Sequence, residues 1–298
     1  MTNLQSHLLA VLMTLFITGS FISAAELSGV IHPVALTLLR FIGAILALSP
    51  VILLIPKHRT SIKNVFLKSL IISLFYSVFF ICMFKAMETT TALNTSALYT
   101  LVPFITAILC FVIFKESISR YMLNAYTIGT IGAMWVIFKG DVSAVLSLSL
   151  NSGDLYFLFG CFSIAGFSIA MKKLYKGESM PALVFCTLLG GAIWMTLALV
   201  LMKQPLEIDR VDKADFVHLA YLAVFATLLS TLIMQKITVQ LGPTKVMAYV
   251  FITPVLVLLL QYFLKEEPII NAIYPGIVLS VLATIYLQKV STTKVKSF

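Results

Sequence analysis

Residues 97–118 run ALYTLVPFITAILCFVIFKESI, and residues 248–269 run AYVFITPVLVLLLQYFLKEEPI. Each is an apolar run of helix length with an internal proline and a glutamate just past its end. Shifting the first by 151 positions lays it on the second without a gap: Ala97 falls on Ala248, Pro103 on Pro254, Leu109 on Leu260, Glu116 on Glu267 and Ile118 on Ile269. The same shift places Lys85 on Lys236 and Thr91-Ala92 on Gly242-Pro243, two pairs that both suit a helix start. Nearer the N-terminus, Gly19 pairs with Gly166 and Pro33 with Pro181 at shifts of 147 and 148, which one small insertion reconciles. Apolar matches arise cheaply between membrane segments, so the Lys, Pro and Glu coincidences carry the weight. They point to an internal duplication.

The rest of the chain is equally apolar. Hydrophobic residues make up 60% of 298, charged residues 11%, and mean hydropathy is +1.04. A soluble domain is roughly half apolar and about a quarter charged, and no soluble surface could hide this excess. A helix needs about 20 mainly apolar residues to cross hydrocarbon. Runs of that kind predict ten spans, at 6–25, 33–55, 66–87, 92–114, 121–139, 153–172, 181–202, 215–237, 244–264 and 270–289. The breaks hold turn formers such as Pro33, Pro56, Gly140, Pro181, Pro205, Gly242 and Pro268. Ser23-Ala24-Ala25 resembles a signal-peptidase site, but residues 1–6 lack Lys and Arg and the repeat needs this helix, so the first span is expected to be retained.

With the N-terminus inside, cytoplasmic segments hold 14 Lys and Arg and the opposite side 6, so both termini are expected in the cytoplasm. The net charge of +9 resides in these short gaps, which excludes a nucleic-acid-binding face. Cys82, Cys110, Cys161 and Cys186 lie in apolar runs without CxxC spacing, so no metal site, disulfide framework or cofactor is expected.

The expected fold is thus all-α and integral to the membrane, with ten transmembrane helices as two inverted five-helix repeats, residues 1–145 and 146–298. Five helices per half is an odd number, so the second half enters the membrane upside down. Two such halves can rock about a site at mid-membrane, which is the physical basis of alternating access.

The order of features resembles the drug/metabolite transporter superfamily, EamA-type branch. The first half carries Ala86-Met87, Ala97-Leu98, Pro103, Lys115-Glu116, Gly129 and Gly132; the second carries Ala248-Tyr249, Pro254, Lys265-Glu266-Glu267 and Gly276. The resemblance implies a ten-helix exporter or exchanger of amino acids and other metabolites in the bacterial inner membrane. It also implies a central cavity lined mainly by spans 1, 3, 4, 6, 8 and 9. Ser280 and Ala283 replace the paired glycines in the second half, which leaves close packing of that helix less assured.

Several residues are candidates for the work. Pro103 and Pro254 are expected to kink their helices, freeing a carbonyl such as that of Tyr99 or Val250 beside the substrate, or else simply to shape packing. Lys85 and Lys236 are paired by the repeat and suit an anionic group approaching from either side, although each alone could snorkel to headgroups. Gln235 and Asn94 offer neutral hydrogen bonds to the same ligand. Tyr76, Tyr99, Tyr249 and Trp135 suit either an aromatic wall or an interfacial belt. Arg40 is the one charge clearly inside a predicted span, where a charge costs about 3 kcal/mol on insertion scales. It is expected to lock helices by pairing with Glu26, Glu88 or free carbonyls. Thr14 and Thr18 share one face of the first span. Glu116 and Glu267 are candidates for proton coupling, against the plainer use of pairing with Lys115, Arg120 or Lys265.

These features predict a secondary transporter of small metabolites, amino acids or related zwitterions and organic anions, driven by protons or by exchange and embedded in lipid as a monomer or homodimer. No Walker-type loop for ATP is present. A membrane-embedded enzyme acting on a lipid or headgroup is the alternative, but His7, His32, His58 and His218 lie in separate segments without a shared motif. A channel would need a filter loop or a symmetric oligomer.

Overall fold

The structure, a computed structural model, describes residues 3–27, 29–148, 150–206, 208–265 and 270–290. These form helices and turns with no β-strand: α1 (Asn3–Glu26), α2 (Pro33–Leu54), α3 (Pro56–Met87), α4 (Ala92–Tyr99), α5 (Val102–Phe114), α6 (Arg120–Ile137), α7 (Val142–Leu146), α8 (Ser152–Leu174), α9 (Met180–Met202), α10 (Lys213–Ala223), α11 (Ser230–Leu241), α12 (Pro243–Met247), α13 (Thr253–Lys265) and α14 (Tyr274–Lys289). Among the described residues nine helical stretches are long and apolar enough to cross a membrane. The helix α6 is not one of them; it has 18 residues and begins on Arg120.

Helix starts follow local chemistry. Pro33 and Pro56 open α2 and α3, where a missing N–H costs nothing. Asn151 and Asp154 form a capping box on α8, and Asp212 and Asp215 do the same on α10. Three helix ends pass through left-handed backbone at Lys115, Lys139 and Lys203, with φ of 55°, 54° and 53°. A basic residue is favoured at the carbonyl end of a helix.

Helices stand near the predicted positions, nine of them long and apolar enough to cross a membrane among the described residues, with informative differences. The helix α3 starts at Pro56, ten residues before the apolar run at 66, because a charged helical turn can stand outside hydrocarbon. The fourth span is broken rather than continuous. After α4, the Thr100 and Leu101 amides donate three residues back, to Ala97 and Leu98 carbonyls at 3.2 and 3.0 Å, before Pro103 resumes the helix as α5. The ninth span breaks at the matching place, with a 3-10 turn over Ala248–Ile252 preceding Pro254. In both, a proline without an amide tightens the turn ahead of it. A π-helical turn, Val224–Leu229, interrupts the eighth span between α10 and α11, and α7 was not foreshadowed by hydropathy.

The helix α3 packs most extensively on α8 and α9, the two most buried spans, while α2 lies on α9, α1 on α11, and α6 on α14. The α6–α14 contact is close despite Ser280 and Ala283. A methyl added at Gly132 would lie 2.7 Å from the Ser280 amide nitrogen, and one at Gly276 would lie 2.8 Å from the Gly132 carbonyl oxygen. Ser280 and Ala283 are both buried in that contact and small enough to permit it. Lipid tails are as apolar as leucine, so such backbone-to-backbone approach is a main source of cohesion. At one end of the bundle Lys68 of α3 pairs with Glu178, and Ser179 Oγ lies 2.7 Å from His58 Nδ1, tying α3 to the loop before α9.

Gly132→Ala is expected to destabilise the detergent-solubilised protein by about 1–3 kcal/mol, whereas Ile131→Ala, on the exposed side of the same helix, leaves it nearly unchanged. Equal thermal unfolding of Gly132→Ala and wild type would contradict the close crossing. Burial favours the neutral form of Glu178, but hydrogen bonds from Lys68 and from backbone amides, with the Lys68 charge, hold its carboxyl below the usual carboxylate range. A lowered folded pKa gives stability that is present at neutral pH and is lost as pH falls through that range. The melting temperature should therefore drop more steeply from about pH 6 to about pH 4 in wild type than in Glu178→Gln; parallel curves would remove the ion pair from the account.

Candidate functional site

The polar interior begins with spacing on one helix. Thr227, Thr231, Gln235 and Thr238 recur at intervals of four, four and three, which places them along one face. All four are buried, while Lys236 between them is exposed. Gln235 Nε2 donates to Thr187 Oγ1 of α9 at 3.1 Å. Gln235 Oε1 and Thr238 Oγ1 are buried and have no hydrogen-bond partner among the described residues.

Arg40 of α2 meets this stripe. Its Nε donates to Thr227 Oγ1 at 3.1 Å, and its guanidinium lies 5.7 Å from the centre of the Phe80 ring. Thr227 belongs to the π turn, a distortion that frequently marks functional sites in helices. The Tyr76 phenol neighbours both Arg40 and Thr231. Tyr76 stacks on Phe167 of α8 at 4.8 Å and meets Phe80 edge-on at 5.0 Å, with Phe41 at 5.8 Å. A cation, hydroxyls and aromatic faces thus converge where α2, α3, α8 and the π turn meet.

Arg40 does not make the expected pairing with Glu26 or Glu88. Glu88 accepts from Lys85 at 2.6 Å, and among the described residues Arg40 forms no ion pair. Lys85 and Lys236 are both exposed and are not brought together with the interior stripe. The helix α11 runs on to Leu241, so Lys236 sits within the helix on its outer side instead of at its end. Tyr99 packs against Phe79 and Phe157 at ring distances of 6.0 and 6.4 Å, which connects it through Phe79 and Phe80 to Tyr76. Tyr249 lies elsewhere: its hydroxyl is 2.9 Å from His7 Nδ1, in a cluster with Ala10, Met13 and Ile237. Trp135 Nε1 donates to the Ala272 carbonyl at 2.8 Å, between α6 and the start of α14. Thr14 and Thr18 are buried and bond back to their own helix, to Ala10 and Thr14 carbonyls. Glu116 pairs with Lys172 of α8 at 3.4 Å, a partner not anticipated from local sequence. Glu267 lies outside the described residues.

Asn94 is part of a second polar group that hydropathy did not foretell. Asp154 is buried, yet its oxygens accept from Thr90 Oγ1, from Asn94 Nδ2 at 3.2 Å and from the Asn151 amide at 2.8 Å. Such full satisfaction is what a buried carboxylate needs, and it ties the start of α8 to the α3–α4 turn. Asn94 also lines an apolar cavity of about 230 Å³ with Ala97, Leu98, Leu101, Met134, Leu148 and Leu150. Among the described residues no group of His, Cys, Asp and Glu is placed to hold a metal ion.

The signals that would have revealed more are uneven. The Thr-Thr-Gln-Thr spacing and the Asn151-x-x-Asp154 box are visible in sequence. The π turn has no local signature, and without it the approach of Thr227 to Arg40 is invisible.

Comparison with known proteins places this geometry. An uncharacterized transporter, YyaM of Bacillus subtilis (strain 168), is 21% identical over 179 residues, which is 60% of this chain. The match spans 59% of that relative's length. A solved crystal structure described only as that of a protein superposes with a TM-score of 0.75 at 14% identity, covering 96% of this chain and 98% of that one, a likeness of fold alone. The model of the EamA-like transporter family matches residues 4–138 and again residues 151–288. With both stretches matched, nearly end to end, this membrane chain belongs to the EamA-like transporter family.

Proposed function

We propose that the chain is a secondary transporter that moves small metabolites (amino acids or related zwitterions and organic anions) by alternating access, in the export direction. It spans the bacterial inner membrane ten times as two inverted halves, residues 1–145 and 146–298, with both termini cytoplasmic, and works as a monomer or homodimer.

The observation that carries this reading is the pairing of contacts. Under the repeat, α1 corresponds to α8, α2 to α9, α3 to α10–α11, α4–α5 to α12–α13 and α6 to α14. The α3–α8 packing then has its counterpart in α1–α11, and α3–α9 in α2 against α10 and the π turn. Packing of α5 on α8 corresponds to packing of α13 on α1, while α2–α9 and α6–α14 pair each element with its own counterpart. The matched breaks before Pro103 and Pro254 follow the same relation, and so does the twofold family match. Halves that exchange partners in this way have two nearly equivalent arrangements, one open to each side. The excess of Lys and Arg on one set of loops supports the orientation.

In this reading Glu116 and Lys172, which join the ends of α5 and α8 on the predicted cytoplasmic side, form a gate contact that opens when that side opens. Proton coupling through Glu116 is the competing use of the same residue. Purified protein in proteoliposomes is expected to show saturable uptake that is accelerated by substrate on the far side. Glu116→Gln should alter the rate and leave any response to a pH gradient intact; loss of that response would make Glu116 a coupling group. Non-saturating flux would indicate a channel, and chemical turnover of a lipid headgroup would indicate an enzyme. Either would end the transporter proposal.

A further inference from the structure

We propose that Arg40 receives the carboxylate of a transported organic anion, and that the anion's apolar or aromatic body rests against Tyr76, Phe80 and Phe167; this rests on the transporter reading above. The guanidinium is a fork of several N–H donors shaped to hold a carboxylate through two parallel bonds. Only Nε is engaged, by Thr227. Arg40 is half-buried, and its terminal nitrogens are not among the buried polar atoms that lack a partner, so they reach accessible space.

Tyr76 lies well inside α3 and is likewise half-buried, yet its ring neighbours Phe41, Phe80 and Phe167 are all buried more deeply. The open parts of Arg40 and Tyr76 are therefore bordered by deeply buried aromatic side chains, the setting an interior site requires. A charge kept in such a place without an ionic partner is costly unless a ligand answers it.

The surroundings also constrain the rest of the ligand. The buried carboxylate among the described residues, Asp154, already has its oxygens taken by Thr90, Asn94 and the Asn151 amide. No described acidic side chain pairs with Arg40 or lines its aromatic wall, so nothing anionic waits for an ammonium group. The geometry favours a 2-oxo or 2-hydroxy acid with an apolar side chain over the corresponding amino acid.

Phenylpyruvate and phenylalanine form a matched pair of probes that differ at that one carbon. Wild-type protein in proteoliposomes is expected to take up phenylpyruvate saturably, and about tenfold better than phenylalanine. Arg40→Gln should weaken phenylpyruvate uptake about tenfold or more, with a melting temperature equal to or above that of wild type, since an unpaired interior charge adds no stability. A helix-locking arginine would instead lower the melting temperature on removal and leave uptake per folded molecule unchanged. Should Arg40→Gln fail to fold, Arg40→Lys decides: several-fold weaker uptake supports the site, and uptake equal to wild type overturns it. A preference for phenylalanine overturns the substrate class. Saturable flux of other compounds, untouched by Arg40→Gln, overturns the anion site and leaves the transporter standing. No saturable flux of any compound by folded protein overturns the transporter reading itself.

Discussion

Within hydrocarbon a backbone amide or carbonyl must find its partner inside the protein, and the rest of this structure depends on that constraint. A helix can depart from α geometry only where protein or enclosed water receives the displaced groups. Among the described residues the spans depart at three places: at Thr100-Leu101, over Val224–Leu229 and over Ala248–Ile252. Apart from the exposed Phe225, the residues of all three are buried or half-buried. The Thr100 carbonyl accepts from Thr130 at 3.4 Å, and the Ala248 carbonyl from Thr284 at the same distance, so side chains of α6 and α14 serve the breaks of the two halves in like fashion. Irregular backbone, normally a cost, here marks the region where a ligand and moving helices would be found.

Under the proposed repeat the helices correspond in pairs, but their chemistry does not. At the shift that pairs Pro33 with Pro181, Arg40 falls on Leu188, a fully buried apolar residue. At the shift that pairs Pro103 with Pro254, Tyr76 falls on Thr227. Under the proposed duplication, divergence left one cation with Tyr76 and Phe80 on the first half, facing Phe167, hydroxyls and an amide on the second. A site divided between the halves is changed by their relative motion, which is how substrate binding would be linked to opening on one side or the other. The symmetric pair Lys85 and Lys236 drew notice because it was symmetric, whereas the interior charge has no counterpart.

Much of the fold was legible because membrane helices announce themselves by length and composition. Pro103, Pro254 and the spacing between them point to a repeat, and the family model matches the chain twice. Helix starts were legible where local chemistry favours them, as at the Thr91 cap and at Gly242-Pro243. The interior was less so, because a polar residue inside an apolar run gives no direction by itself. Arg40 was singled out, but its partner comes from a residue 187 positions away and through a π turn that no local pattern encodes. Lys172 as the partner of Glu116 was hidden for the same reason, since the two are joined only by packing of α5 on α8. Asp154 was overlooked because a carboxylate near a helix start is ordinarily a solvated cap, whereas here the α3–α4 turn closes over it.

The most direct measurement is the accessibility of the interior from each face of the membrane. In a background with Cys82, Cys110, Cys161 and Cys186 replaced, Tyr76→Cys would place one thiol beside Arg40, to be challenged with a membrane-impermeant maleimide in vesicles of known orientation. The account predicts reaction from both faces, each slowed by a bound organic anion, as the two arrangements interchange. A thiol that reacts from neither face, or from one face under every condition, would contradict an alternating site at the centre of this fold.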